Sequence, residues 1–318
     1  MNKPCFHRVA KESGKSCLHY LSPRQKGECG FCGIKEEFLC KEALKHLTPH
    51  ISYSAVRTLN QCPWKFYLTY MKGWKIRDHA MPDPMKAGTV WDGWLGADKI
   101  IYEDKQKYQV NDVLWAKLRA MFRAYRDFKL APQYIATQRK VELYIGDHYV
   151  LGFADFDFGD GIGEVKLSGR PEFYLDKNFI HNQAGTYLMY NPKWEYVNMM
   201  VCRLPQNKMT KKESSEEFED RIYLDISQRP SYYFMNYKPL SGSFGKKFYR
   251  GEFNFDAITR HYANAFKLLR FYTDEHIWPK NDLSCMVPTP CQFLDSRKTG
   301  VLSPELFIQK SKPKRGLI

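Results

Sequence analysis

Three of the four carboxylates and the single amine in the run LGFADFDFGDGIGEVKLSG are spaced so that they can act together. The four groups belong to Asp155, Asp157, Glu164 and Lys166. The dipeptide Asp160-Gly161 between them is a typical two-residue turn of a β-hairpin. Such a turn sets Asp157 opposite Glu164 and Asp155 opposite Lys166, and directly opposed residues share one face of a sheet. The spacing therefore predicts one polar face that carries all four groups.

This predicted polar face is suited to a hard divalent cation. Mg²⁺ and Mn²⁺ prefer oxygen ligands and retain bound waters, one of which can act as a nucleophile. A neighbouring lysine can orient that water and offset the negative charge that develops on a phosphate. The alternative is a solvated hairpin face on which Lys166 only forms cross-strand ion pairs.

Alternating apolar residues predict the strands that carry these groups. The strands cover TQRKVELYI, HYVLGFADFDF and IGEVKL, with turns at Gly146-Asp147 and Asp160-Gly161, and a further strand is expected over 195–204. The core-facing side of the hairpin consists of Ala154, Phe156, Phe158, Val165 and Leu167. Residues 206–220 are expected to form a polar surface loop, and RIYLDIS after them a strand.

Helical periodicity occurs on both sides of the hairpin. A serine of Ser52-Tyr-Ser54 is expected to cap a first helix that Pro63 kinks or splits, and Asn111 to cap another helix. The remaining expected helices cover 89–102, 111–128, 179–190 and 255–275. Helices, a strand meander, then helix and strand predict an α/β (α+β) domain with a mixed central sheet flanked by helices.

The chain of 318 residues has 49 Lys and Arg against 35 Asp and Glu, a formal charge of +14. A polyanion is the expected partner, nucleic acid before a membrane, because neutralising phosphates releases counterions. No run reaches the roughly 18 apolar residues of a membrane helix, and the first residues lack the apolar segment of a secretory signal. These features favour a cytoplasmic protein with no membrane partner.

Five of the nine cysteines fall in the first 40 residues, which predicts a small Cys/His-rich zinc-binding module over residues 1–48. Cys29-Gly-Phe-Cys32 is a C-x₂-C knuckle, and so short a segment needs four S or N ligands around Zn²⁺ to fold. The favoured ligands of this structural site are Cys17, Cys29, Cys32 and Cys40, with His19 or Cys5 as substitutes. The alternative is a set of scattered reduced cysteines.

Five short motifs in order give the chain a resemblance to a known family. They are ISYSAVRTLNQCPWKFYLTY, Gly88-Thr89-Val90-Trp91-Asp92, Gly152-Phe153-Ala154-Asp155, Glu164-Val165-Lys166 and Gln183-Ala184-Gly185-Thr186-Tyr187. With them the chain, from about Ile51 to Cys291, resembles the PD-(D/E)XK nuclease superfamily, in the branch of RecB-type nuclease domains and phage exonucleases. The resemblance implies a restriction-endonuclease-like core over residues 49–300, followed by a basic tail over 301–318.

The resemblance assigns a role to each matching position. The implied catalytic residues are Asp155, Glu164, Lys166, Gln183 and Tyr187. Asp155 and Glu164 would bind a catalytic Mg²⁺ or Mn²⁺ together with the Val165 carbonyl, and Lys166 would be the catalytic lysine. Gln183 and Tyr187, four residues apart on one helical face, would position that lysine or touch DNA.

Two features depart from the family pattern. Asp92 stands where many relatives have a metal-binding His, and because an Asp also ligates Mg²⁺ or Mn²⁺ it is expected to bind the metal. Cys62, Cys285 and Cys291 match three of the four cysteines that hold a [4Fe–4S] cluster in several relatives, and four thiolates are the usual requirement. Cys202 completes the set only if the fold brings it close. The three cysteines are therefore either an Fe–S remnant or buried free thiols.

Together these expectations describe a metal-dependent deoxyribonuclease that hydrolyses phosphodiester bonds through a Mg²⁺- or Mn²⁺-activated water. By analogy we expect an exonuclease on single-stranded DNA or duplex ends, in recombination, repair or phage DNA processing in a bacterial or phage-infected cell, with a helicase or recombinase partner. The alternatives are an endonuclease or flap-processing enzyme, and a catalytically inactive nuclease-derived DNA-binding or scaffold protein.

Overall fold

The computed structural model describes residues 50–130, 132–145, 148–281, 291–293 and 302–309. The predicted zinc module and the predicted turn at Gly146-Asp147 lie outside these residues, as do residues 310–318 of the predicted tail. The described chain is a mixed α/β structure with a mixed sheet flanked by helices. This confirms the predicted α+β class.

The elements have the following bounds. The strands are β1 (His50–Ile51), β2 (Trp74–Ile76), β3 (Ala136–Ile145), β4 (His148–Asp157), β5 (Gly161–Ser168), β6 (Tyr196–Arg203), β7 (Lys246–Tyr249) and β8 (Phe307–Gln309). The helices are α1 (Tyr53–Gln61), α2 (Pro63–Phe66), α3 (Asp83–Ala97), α4 (Glu103–Lys107), α5 (Asp112–Asp127), α6 (Lys177–Tyr190), α7 (Ser215–Gln228), α8 (Pro230–Tyr233) and α9 (Phe255–Asp274). The expected split at Pro63 and the caps at Ser52 and Asn111 are confirmed.

The large sheet is built around β4 and β5. Its order is β1-β4-β5-β6-β7, and β3 pairs with the other edge of β4. β3 pairs antiparallel along most of β4, whereas β1 and β5 share the opposite edge. β1 pairs with Tyr149 and Val150, and β5 pairs only with Phe156 and Asp157. β4 and β5 therefore diverge just before their hairpin turn, at the level of Asp155.

The hairpin turn lies one residue earlier than the sequence predicts. The turn residues are Gly159 and Asp160, because Phe158 N donates to Gly161 O at 2.9 Å. Gly159 has φ +91°, which favours glycine at this first turn position, and its N–H donates to Asp157 Oδ1 at 2.8 Å.

Because the turn lies one residue earlier, the cross-strand partner of each β4 residue changes by two positions along β5. Phe156 pairs with Gly163 and Asp157 with Ile162, so Asp155 falls opposite Glu164 rather than Lys166. A shift of two keeps every residue on its own face, because side chains alternate along a strand. Glu164 and Lys166 therefore share a face as predicted, whereas Asp155 lines a cavity together with Val165, the neighbour of Glu164 on the other face.

Two apolar cores cover the two faces of the sheet. The first core joins it to α3, α5 and α7 and includes Trp91, Trp94, Trp115, Phe122, Phe156, Val165 and Phe218. The second core joins it to α1, α6 and α9 and includes Val56, Val141, Val150, Ala154, Ile162, Leu188, Val197 and Tyr262. Each large buried side chain contributes roughly 1.5–3 kcal/mol, so the strands at the centre are held from both sides.

The loop predicted over 206–220 is confirmed only for residues 206–214, and the strand predicted after it was wrong. Residues 215–228 form α7, whose N-cap is Ser214 in a capping box with Glu217. Phe218, Ile222 and Ile226 are fully buried and recur every four residues, which is a helical and not a strand period. No helix among the described residues is both long and apolar enough to cross a membrane.

We expect Ser214→Ala to lower the free energy of unfolding by about 1 kcal/mol, because the Glu217 N–H of α7 loses its capping oxygen. Urea denaturation followed by circular dichroism measures this change. Ser215→Ala, one residue inside the helix, is the control and is expected to be close to neutral. Equal effects of the two substitutions would argue against the capping box.

Candidate active site

The structure brings together Asp92, Asp155 and Val165 around a cavity of about 20 Å³. These residues come from α3, β4 and β5, and Thr137 and Gln138 of β3 also line the cavity. A cavity of this size holds about one water molecule or one ion. Three of the four positions predicted to bind a divalent metal thus border one space.

Asp155 is held by a hydrogen bond at each carboxylate oxygen. Val165 N donates to Oδ2 at 2.8 Å, and Gln138 Nε2 donates to Oδ1 at 3.3 Å. The bond from Val165 satisfies a backbone N–H of β5 where β5 has left the β4 backbone. The carboxylate therefore fills the gap between the two strands as part of the structure.

Glu164 is the most buried ionisable group of the site, with 2% exposure. Its Oε2 accepts from Lys166 Nζ at 2.9 Å and from Gln183 Nε2 at 3.0 Å. Its Oε1 is buried with no hydrogen-bond partner in the described part of the chain. Burial raises the pKa of Glu164 to about 8, nearby Asp155 adds to the rise, and Lys166 opposes it. An orphaned buried carboxylate oxygen is a group that a bound cation would satisfy.

Gln183 and Tyr187 of α6 support this carboxylate and the strand behind it. Gln183 Nε2 lies 3.2 Å from the Tyr187 hydroxyl, which donates to the Phe153 carbonyl oxygen at 3.1 Å. Burial, and then the charge of Glu164, raises the pKa of Tyr187, so the hydroxyl remains a donor. Tyr187 therefore connects α6 to β4, and Gln183 holds the oxygen of Glu164 that also accepts from Lys166.

Asp92 reaches the cavity from α3 and remains open to solvent on that side. The protein packed around its carboxyl raises the pKa of Asp92 to about 7, the charge of Asp155 raises it further, and Lys166 lowers it. If Asp92, Asp155 and Glu164 are all ionised, they carry three negative charges against the single positive charge of Lys166. This imbalance is the electrostatic setting in which a divalent cation binds.

No three His, Cys, Asp or Glu side chains in the described parts of the chain stand close enough together to ligate one metal ion. Glu164 turns toward Lys166 and Gln183, while Asp155 is tied to Val165 and Gln138. The donor chemistry thus fits Mg²⁺ or Mn²⁺, and side-chain rotation, chiefly of Glu164, is needed to complete a ligand set.

The cysteine predictions fall partly outside the described residues. This applies to Cys5, Cys17, His19, Cys29, Cys32 and Cys40 of the zinc module and to Cys285. Cys62 is buried between α1 and α2, and Cys291 is half-buried against a small cluster that contains Leu68 and Phe293. Cys202 is fully buried in the first core, where burial raises the pKa of its thiol. Cys202 and Cys291 thus pack in different clusters.

Sequence reasoning did not single out Gln138, although the pattern contains a signal for it. Counting back from the predicted turn at Gly146-Asp147 sets Gln138 opposite Asp155, and the observed β3–β4 register agrees. Asp157, the fourth group of the predicted polar face, has a structural role. It accepts from Gly159 N and pairs with Arg139 Nε at 3.4 Å.

We expect the metal-free protein to lose stability as pH rises from 5 to 8.5. The folded-state pKa values of Asp92 and Glu164, about 7 and about 8, lie above their ordinary values of 3.8 and 4.5. The folded state then holds more protons than the unfolded state, so the free energy of unfolding falls as these groups ionise.

Thermal melts in EDTA at each pH measure this effect. Asp92→Asn should flatten the decline, because the amide does not ionise, whereas exposed Asp274→Asn should leave it unchanged. Adding Mn²⁺ should raise the melting temperature most at the alkaline end. A wild-type melting temperature that does not change between pH 5 and 8.5 would contradict the raised pKa values of Asp92 and Glu164.

Gly152→Ala should displace the Tyr187 ring. A Cβ at position 152 would lie 2.9 Å from Tyr187 Cε1, closer than real contacts allow. Overpacking of this kind costs about 1–3 kcal/mol, and it should also disturb the Gln183 amide. Differential scanning fluorimetry compares this variant with Gly251→Ala, whose Cβ would meet nothing within 4 Å. Equal melting temperatures would mean that Tyr187 is not confined by β4.

No protein-family model matches this chain, and no curated protein is similar to it. What is known of the site therefore comes from its own residues. They form a solvent-reached cavity lined by Asp92, Asp155 and Val165, next to the ion pair of buried Glu164 with partly exposed Lys166.

Proposed function

We propose that this protein is a metal-dependent DNA nuclease of the PD-(D/E)XK type. The observation that carries the proposal is the meeting of Asp92, Asp155 and Val165 at one cavity, beside the Glu164–Lys166 pair. These residues lie on three elements, and Asp92 is distant in sequence from the hairpin that contains the others. Their chemistry fits hydrolysis of a phosphodiester bond.

The metal ligands in this proposal are the carboxylates of Asp92, Asp155 and Glu164 and the carbonyl of Val165. A bound Mg²⁺ or Mn²⁺ supplies Lewis-acid stabilisation of the phosphate and a nucleophilic water at neutral pH. Asp155 is already oriented by two donors, and the unpartnered Oε1 of Glu164 gains a partner when the side chain turns.

Lys166 is the proposed catalytic lysine. Burial lowers its pKa, but the charges of Glu164 and Asp155 outweigh burial and raise it, so the side chain remains an ammonium. Partly exposed, it can donate a hydrogen bond to a phosphate oxygen and offset charge in the transition state. Gln183 holds Glu164 from the other side and Tyr187 holds Gln183, which restricts the positions that both can take.

The substrate we propose is DNA, as single strands or duplex ends, cut from an end in recombination, repair or phage DNA processing. The formal charge of +14 supports a polyanionic substrate. The exonucleolytic mode follows the resemblance stated above and is an analogy. A structural Zn²⁺ in the N-terminal module, an Fe–S remnant at Cys62, Cys285 and Cys291, and a helicase or recombinase partner remain part of this proposal.

A second candidate is a nuclease-derived DNA-binding or scaffold protein without activity. It is favoured by the absence of a prearranged three-residue metal-ligand group among the described residues. Glu164 Oε2 also already accepts hydrogen bonds from both Lys166 and Gln183. In this second reading the Glu164–Lys166 pair is a structural ion pair at the edge of the cavity.

The deciding experiment is degradation of end-labelled single- and double-stranded DNA with Mg²⁺ or Mn²⁺. Lys166→Met keeps the length of the side chain but removes the charge, and we expect at least ~10²-fold slower cleavage. Lys193→Met, at an exposed turn, is the control and should cut like the wild type. The product ladder distinguishes cutting from ends from internal cutting.

Two results would contradict the proposed function. The first is wild type that binds DNA but cuts neither substrate with either metal. The second is cleavage that Lys166→Met retains in full, which would indicate a contaminating nuclease or a different site.

A further inference from the structure

Gln138 borders the proposed metal site on β3 and has a backbone conformation unusual for its type. Its φ is +49°, in the left-handed region that L side chains other than Asn and Asp seldom occupy. The flanking pairs are Thr137 with Phe156 and Arg139 with Ala154, so Gln138 lies opposite Asp155. The distortion is thus confined to the single cross-strand position that contains a proposed metal ligand.

The distortion changes which way the side chains point. Neighbouring residues of a regular strand face opposite sides of a sheet, yet Thr137 and Gln138 both line the cavity. On β4, Ala154 packs in the second core and Phe156 in the first, although residues two apart share a face on a regular strand. The alternation is reset at Asp155, and the reset is what lets Asp155 face the cavity.

The Gln138 side chain also fixes the direction of the carboxylate. Its Nε2 donates to Asp155 Oδ1 at 3.3 Å, while Val165 N donates to Oδ2 from the other strand at 2.8 Å. With a donor on each oxygen, the carboxylate plane is set by both neighbouring strands. Gly would adopt this left-handed backbone conformation more easily than Gln. The advantage of Gln at this position is therefore the hydrogen bond that its side-chain amide donates to Asp155.

We propose that Gln138 is a positioning residue that orients Asp155 toward the metal through its amide and its left-handed backbone. This inference rests on the proposed function, because Asp155 acts there as a metal ligand. Gln138 itself touches neither the metal nor DNA in this scheme. Its removal is therefore expected to weaken metal binding and turnover without changing the affinity for DNA.

The test compares Gln138→Gly with a matched control, Gln109→Gly. Gln109 is an exposed glutamine with φ +48°, in the connection between α4 and α5 and away from the cavity. Both substitutions replace a left-handed glutamine with glycine, so their effects on the backbone are alike. Only the first removes a hydrogen bond to Asp155.

For Gln138→Gly we expect kcat for DNA cleavage to fall about 10- to 100-fold, since small misplacements of reacting groups have effects of this size. KM for DNA should be unchanged, and the Mn²⁺ concentration for half-maximal rate should rise several-fold. Gln138→Glu keeps the length of the side chain but removes the N–H donor. Its kcat, its KM and its Mn²⁺ dependence should change as in Gln138→Gly. Gln109→Gly should match the wild type in all three quantities, and the melting temperatures of both glycine variants should be similar.

Direct Mn²⁺ titration by isothermal calorimetry separates this inference from the proposed function. Weaker Mn²⁺ binding by Gln138→Gly than by Gln109→Gly supports the positioning role, even if the wild type cuts no DNA and the nuclease proposal fails. Wild-type Mn²⁺ binding and kcat in Gln138→Gly would overturn the positioning role while leaving the nuclease proposal intact. Equal losses in the two glycine variants would also overturn it, because the cause would then be the backbone alone.

Discussion

The hydrogen bond from Val165 N to the Asp155 carboxylate determines how the centre of this sheet is built. Where β4 and β5 separate, a strand N–H inside the protein needs an acceptor, and leaving it without one costs about 1–3 kcal/mol. An oxygen of the Asp155 carboxylate supplies this acceptor, and the carboxylate occupies the space between the two separated strands. The cavity that Asp92 and Asp155 line lies where this side chain replaces a backbone partner.

That arrangement is possible because the strands on either side are anchored elsewhere. The first core secures β5 through Val165, and the second secures it through Ile162, while β6 pairs with β5 along its whole length. Buried carboxylates next to one another oppose folding, and the two cores offset that cost. The rigidity of the flanking layers thus holds three carboxyl groups close together, which a looser fold would allow to move apart.

Much of the candidate site could be predicted from the sequence, because its main determinant is the alternation of side chains along two strands. Glu164 and Lys166 fell on one face even with the turn misplaced by a residue, since a shift of two positions leaves each residue on its own face. Asp155 lies outside this pattern because the alternation is reset there. The helix containing Ile222 was missed because RIYLDIS has strand propensity, whereas its burial repeats every four residues and its cap lies at Ser214. The reset of alternation at Gln138 has no sequence marker, because the left-handed conformation falls on a residue that rarely adopts it.

The pairing of β2 with β8 joins segments about 230 residues apart. Leu68, Phe293 and Phe307 pack together beneath this small sheet, next to the end of the first helical region. During synthesis on a ribosome, that apolar surface stays open until the strand containing Phe307 has left the exit tunnel. Contacts so distant in sequence form late and slowly, so this corner is where a nascent chain is most exposed to chaperones and to wrong partners.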